Sequence, residues 1–169
     1  MSISTPLPAP SLLRRLAAAL YDGLLVIAIW FLGTLLLLPL TGGEAIDSQH
    51  PAYLAYLILI TGLFFVWFWH RSGRTLGMLA WRLRIVDGRQ NPPGLRALII
   101  RAALMLALIV AALYGLTLMQ LDDYPDWLGM LCLLPLTLSM GWTLVDGQGR
   151  SLHDLGSGTQ MVLLPREKR

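Results

Sequence analysis

Charge is what this chain of 169 residues has little of: 14% of the residues are Asp, Glu, Lys or Arg, 56% are hydrophobic, and the mean hydropathy is +0.63. That composition lies outside the range of an ordinary soluble domain and points to one integral membrane domain over residues 1–169. A single cysteine, Cys132, excludes a disulfide framework, a Cys-x-x-Cys pair and a zinc-ligand spacing. No HxxxH, HExxH or Cys/His cluster and no Gly-x-Ser-x-Gly elbow is present, and no nucleophile stands with its base. The expectation is a protein that is not an enzyme and takes no metal or other cofactor. No internal repeat is evident, which argues against an inverted-repeat transporter within one chain. The formal charge of +3 and pI near 9.4 would suit nucleic acid. The cations, however, flank apolar runs instead of forming a groove with stacking aromatics, so nucleic acid is not an expected partner.

Four apolar runs occupy residues 16–40, 53–69, 97–119 and 127–145. A lipid core of about 30 Å needs about 20 apolar residues of helix, so each run can span. The connection between the first two runs carries Glu44 and Asp47, and that between the last two carries Asp122, Asp123 and Asp126; neither contains a cation. The cations are Arg14 and Arg15 at the start, Arg71, Arg74, Arg82, Arg84, Arg89, Arg96 and Arg101 in and beside the middle connection, and Arg150, Arg166, Lys168 and Arg169 at the end. By the positive-inside bias, both termini and the middle connection are cytoplasmic and the acidic loops face outward. The start, Met1 to Pro10, is uncharged, and the long first run reads as a retained span instead of a cleaved signal. Leu38-Pro39-Leu40-Thr41-Gly42 matches a cell-wall sorting pattern, but it follows the first span instead of preceding a C-terminal tail.

Aromatic residues mark the expected interfaces, with Tyr53, Tyr124 and Trp127 at the outer ends and Trp67, Trp69 and Trp142 toward the inner ends. Trp30 and Tyr114 lie deeper and are expected to pack between helices or against lipid tails. In the middle connection, Thr75 to Ala80 reads as a short interfacial helix. Trp81, Leu83 and Ile85 then alternate with Arg82 and Arg84 at a period of two, as a strand does. Asp87-Gly88 and Asn91-Pro92-Pro93-Gly94 supply turns. After Gly156-Ser157-Gly158, the run Thr159 to Leu164 is also strand-like. A lone strand leaves its backbone unpaired, so the two segments are expected to form a small cytoplasmic two-stranded sheet, the alternative being two interfacial helices. The fold class is thus an all-α integral membrane four-helix bundle with a small β element.

Asp22 is the one ionisable residue well inside the first run, where a carboxylate costs about 2.5–3.5 kcal/mol on insertion scales and so needs a partner or a proton. Arg15, two turns earlier on the same face, and Arg101 on the third span are the expected partners. Such a cluster reads equally as a proton or cation site and as an ion pair that orients helices. His153-Asp154 suggests an acid/base pair or metal ligands, yet no further ligands accompany them. The plainer expectation is that Asp154 caps or ion-pairs a cytoplasmic element against the arginine-rich connection. Gly73-Arg-Thr-Leu-Gly77 lacks the Gly-Lys-Ser/Thr ending of a phosphate loop.

Taken in order, these pieces resemble the RDD family of bacterial membrane proteins, named for an arginine and two aspartates. Arg15 to Asp22 is similar to the family's first-helix arginine and aspartate. Gly73-Arg-Thr-Leu-Gly77, running into Leu83-Arg84-Ile85-Val86-Asp87-Gly88, resembles its GxTLGK stretch and following strand, and Arg101 matches an arginine of the next helix. Leu152-His153-Asp154-Leu155, followed by Gly158-Thr159 and Met161-Val162, is similar to the terminal LHDxxAGTxVV signature. Met78 and Leu79 stand where the family usually has basic residues, and Ser157 replaces an alanine. The resemblance implies a multi-span protein of the bacterial inner membrane with a role in transport, including cation/proton exchange. With only four spans, transport would require a homo-oligomer. The competing expectation is an accessory or assembly subunit whose small cytoplasmic face of arginines, Asp87 and Asp154 docks a larger membrane partner or anionic membrane lipids, and the cytoplasmic signature comprises Gly73, Thr75, Gly77, Arg84, Asp87, His153 and Asp154.

Overall fold

The computed structural model describes residues 7–42, 44, 46–47, 50–121 and 123–165. Asp122, Arg166, Lys168 and Arg169, which enter the charge argument, lie outside the described residues. In chain order the elements are α1 (Leu12–Leu37) with a 3-10 turn at Leu38–Thr41, α2 (Pro51–Ser72), α3 (Leu76–Ala80), β1 (Leu83–Asp87), α4 (Leu95–Leu118), α5 (Asp126–Val145), α6 (Leu152–Ser157) and β2 (Thr159–Leu163). Among the described residues, the helices α1, α2, α4 and α5 are the four long and apolar enough to cross a membrane. Each expected run is found as a helix, its ends shifted by a few residues. The chain is a membrane protein with a helical bundle and a two-stranded sheet.

Local chemistry sets the ends of the spans. Pro39 lies in the tightened last turn of the first span, and Gly42, at φ 67°, closes it. Pro51 opens α2 at the position where a missing N–H costs nothing, and His50 Nδ1 accepts from Ala52 N at 3.3 Å. Gly73 ends α2 at φ 72°, a left-handed conformation that suits a residue without Cβ.

The sheet forms as the pairing argument requires, but its first strand starts later than expected. Trp81 is the C-cap of α3 and Arg82 turns the chain at φ 57°, so pairing begins at Leu83 opposite Leu163 and ends with Asp87 opposite Thr159. The strand's outer edge is also used, because Ile85 N donates to Gly73 O at 2.8 Å. On the other side Leu163 N donates to Pro8 O at 2.9 Å. Both edges of this short sheet are thereby partly capped.

The buried core sits at the sheet end of the bundle. Leu83, Ile85 and Leu98 are fully buried, with Trp69, Met78, Ala18 and Ala102 around them. Trp69, expected as an interfacial anchor, belongs to this core, whereas Trp67 on the same helix is exposed. Farther along the spans, contact depends on small residues: a Cβ on Gly115 of α4 would lie 2.6 Å from Gly129 O of α5. Trp30 does pack between helices, its Nε1 donating to Thr61 Oγ1 at 2.8 Å, while Tyr114 is exposed.

Candidate functional site

Two polar constellations lie at the sheet end, and they divide the residues that were expected to form one cluster. The first joins α1 to α3. Thr75 is the N-cap of α3, its Oγ1 accepting from Met78 N at 3.2 Å and donating to Asp22 Oδ2 at 2.5 Å. Gly77 N donates to Asp22 Oδ1 at 2.9 Å. Asp22 is therefore an acceptor for the free donors at the start of a short helix, which has too few turns to hold itself together. Gly77 makes the approach feasible, since a Cβ there would stand 2.4 Å from Ala18 O and 2.8 Å from Asp22 Oδ1. Thr75, Gly77 and Asp22 are all buried.

The second constellation has Asp154 at its centre. Arg15 Nη1 donates to Asp154 Oδ2 at 3.0 Å, and Arg101 Nη1 bonds Asp154 Oδ1. Arg101 Nη1 also donates to Thr159 Oγ1 at 2.7 Å, and Arg15 Nη2 donates to Gly149 O at 2.5 Å. Asp154 Oδ2 accepts in addition from Ser151 N at 2.9 Å, which ties down the start of α6. The Arg101 guanidinium lies 5.3 Å from the centre of the Trp69 ring, a cation–π distance. The Asp154 carboxylate thus ties together α1, α4 and α6, and Arg101 extends the link to the start of β2.

The expected grouping of Asp22 with Arg15 and Arg101 is corrected here: both arginines pair with Asp154, and Asp22 serves α3 instead. A carboxylate two turns along α1 from Arg15 is about 10 Å away along the axis. Asp154, carried in from the far end of the chain, comes within direct reach. Asp154 does cap and ion-pair as expected, but its partners are on the spanning helices instead of the middle connection. Burial opposes the charge on Asp154, yet the Arg101 and Arg15 guanidiniums hold its carboxyl well below the usual carboxylate range.

His153 is buried, its Nε2 3.0 Å from Ser151 Oγ and its Nδ1 3.4 Å from Ser139 Oγ of α5. Burial, followed by the positive charge of Arg101, pushes its pKa down to about 4, so the ring is neutral near pH 7. A neutral ring fits between two hydroxyls, donating to one and accepting from the other. Among the described residues no group of three His, Cys, Asp or Glu is placed to hold a metal ion. Asp87 Oδ1 accepts from Arg89 N and Asn91 N, both at 2.8 Å, and so builds the turn after β1. Arg84 is exposed and lies over Gly73, where a Cβ would be 3.0 Å from its Nε. Asp146, just past α5, binds Arg150 through both carboxylate oxygens at 3.1 and 3.0 Å, which pulls its pKa down to about 2.

The order of these elements, with an arginine and an aspartate on the first span, Thr-Leu-Gly capped by that aspartate and a late aspartate between two arginines, agrees with the comparison of the chain with family models. The RDD family model matches residues 9–158. The chain belongs to the RDD family. The match includes Arg15, Asp22, Thr75, Gly77, Arg101, His153 and Asp154, and it ends one residue before β2. No curated protein and no solved structure matches the chain.

Sequence reasoning missed Thr159 and Ser151 as partners of the Arg15–Asp154–Arg101 cluster, although Thr159 stands in the terminal signature. It also missed Trp69 and the Gly149 carbonyl. Nothing in the local sequence separates Trp69 from Trp67, because the choice depends on which face of α2 meets Arg101.

Proposed function

We propose that the chain is a non-catalytic accessory subunit of the bacterial inner membrane that docks a larger membrane partner through its arginine-bearing end. The observation that carries this reading is the surface of that end. Arg71, Arg84, Arg89 and Arg96 are exposed there, and among the described residues none of them is ion-paired. Arg15, Asp22, Arg101, His153 and Asp154 are instead engaged in holding this end together. A partner with acidic side chains would meet a rigid positive surface, and rigid charge patterns favour specific and fast encounter. By the positive-inside bias this end faces the cytoplasm. Reporter fusions at Asp47 and Asp123 should then give an exterior signal and fusions at Arg89 a cytoplasmic one.

Purification in mild detergent followed by mass measurement tests the docking reading. Co-purification of one dominant membrane protein, lost when Arg71, Arg84 and Arg96 are changed together to Gln, is the expected result. A homo-oligomer with no other protein would count against it. That outcome would favour the second reading, cation/proton exchange, which the buried carboxylate of Asp22 inside α1 supports. There, Asp22→Asn should abolish pH-driven cation flux in proteoliposomes while folded yield is preserved.

A further inference from the structure

A cleft of about 180 Å³ opens at the sheet end between the turn after β1, the α5–α6 loop and the start of β2. Its lining includes Gly88, Gln148, Arg150, Asp154, Thr159 and Gln160. Immediately behind it lie the two guanidiniums of Arg15 and Arg101, joined to the single carboxylate of Asp154. Two guanidiniums against one carboxylate give these three groups a formal charge of +1. Arg15 and Arg101 are more than nine-tenths buried, and the Nε of each is without a hydrogen-bond partner among the described residues. An uncompensated cation in a low-dielectric setting attracts an anion far more strongly than an exposed one does.

The lining itself suits an oxyanion. Arg150 is held in place by both oxygens of Asp146, and Gln148 and Gln160 supply amide groups. Thr159 Oγ1 already accepts from Arg101 and is 2.8 Å from Ser157 Oγ, so it links the cleft wall to the buried cation. Arg89, next to Gly88 on the rim, is exposed and has no ion-pair partner among the described residues. Gln148 and Arg150 of the lining follow the end of α5, where Leu144 and Val145 are exposed at the boundary of the span.

We infer that this cleft binds a phosphate group, either of an anionic phospholipid headgroup or of a free phosphate. The inference does not depend on the docking reading and shares with it only Arg89 on the rim. At about 180 Å³ the cleft has room for a phosphate group, and the tails of a lipid would lie along the α5 end. Arg150, Gln148 and Gln160 donate to the oxygens, and the buried pair of guanidiniums supplies the charge.

The test uses the purified full chain in uncharged detergent, with thermal unfolding followed as inorganic phosphate or phosphatidylglycerol is added, against zwitterionic phosphatidylcholine as reference. Stabilisation by phosphatidylglycerol alone assigns the site to lipid, and stabilisation by inorganic phosphate assigns it to a soluble ligand. Stabilisation by neither, or equally by phosphatidylcholine, overturns the proposal. Gln160→Glu places a negative charge in the cleft and should weaken binding at least tenfold. Gln148→Glu on the exposed loop makes the same change should the first variant fail to fold. Arg74→Gln, in the turn after α2 and not among the residues lining the cleft, should leave binding unchanged. An equal loss in Arg74→Gln would mean general attraction to a basic surface and would reject the cleft.

Discussion

At the sheet end of the bundle, Leu83, Ile85 and Leu98 are fully buried around Arg101 and Asp154, while at the opposite end Phe31 and Leu36 of α1 are 70% and 76% exposed. The first region resembles the interior of a soluble protein with ion pairs inside it. The second is held by close backbone approach at Gly115 and Gly129 and otherwise meets lipid, which is as apolar as the side chains themselves. In lipid the apolar face of a span gains little by helix contact, so the specific fold must be set where polar groups converge. This protein places that convergence at one end, where Asp154 joins α1, α4 and the start of α6.

The largest expected break in the comparison is Asp154→Asn, which leaves two buried guanidiniums without a counter-charge. It should cost about 3–5 kcal/mol, read as a loss of folded protein in detergent unfolding. Replacing Arg15, Arg101 and Asp154 together by apolar residues of similar size should cost less than the single change, because no charge is then stranded.

Next comes acidification. His153 has a folded pKa of about 4 against 6.5 unfolded, so its contribution is present above pH 6.5. As pH falls from 6.5 toward 4 the unfolded state binds the proton first, and stability drops by up to about 3 kcal/mol. Asp154 acts in the same direction but only below its ordinary range. Melting temperatures between pH 7 and 4 should therefore show a slope that His153→Asn removes. A slope unchanged in that variant would place the sensitivity elsewhere.

Substitutions at the two glycine contacts test the ends against each other. Gly77→Ala forces its Cβ onto the Ala18 carbonyl, and Gly129→Ala forces one onto Met119 Cγ at 2.3 Å. Each should cost about 1–3 kcal/mol. Gly77→Ala should additionally free α3, seen as faster hydrogen exchange at Met78 and Leu79, because the Asp22 bonds are lost with it. Gly129→Ala should leave those amides protected. The smallest effect is expected for Phe31→Ala on the lipid-facing side of α1, within about 0.5 kcal/mol in detergent unfolding. A large loss there would mean that α1 contacts another chain at that face.

The sequence carried the spans because its apolar runs are long and uninterrupted, and helix length follows directly from lipid thickness. It also carried the sheet, since alternation at Leu83 and Ile85 and the backbone's need for partners are local facts. One end was misplaced for a local reason: the turn at Arg82 with positive φ moved the start of β1, which no side-chain pattern announces. The charges near the first span were legible as needing partners, but the identity of those partners was not. Asp22 and Arg15 are near neighbours along one helix and Asp154 is remote in sequence. Only the return of α6 against α1 and α4 puts Asp154 between Arg15 and Arg101, and only the docking of α3 gives Asp22 its two donors. Residue types and spacing therefore determined which groups had to be satisfied, because desolvation acts on each group wherever it is buried. Tertiary structure alone decided who satisfies whom, because hydrogen bonds and ion pairs depend on separations of a few ångströms between segments far apart in the chain.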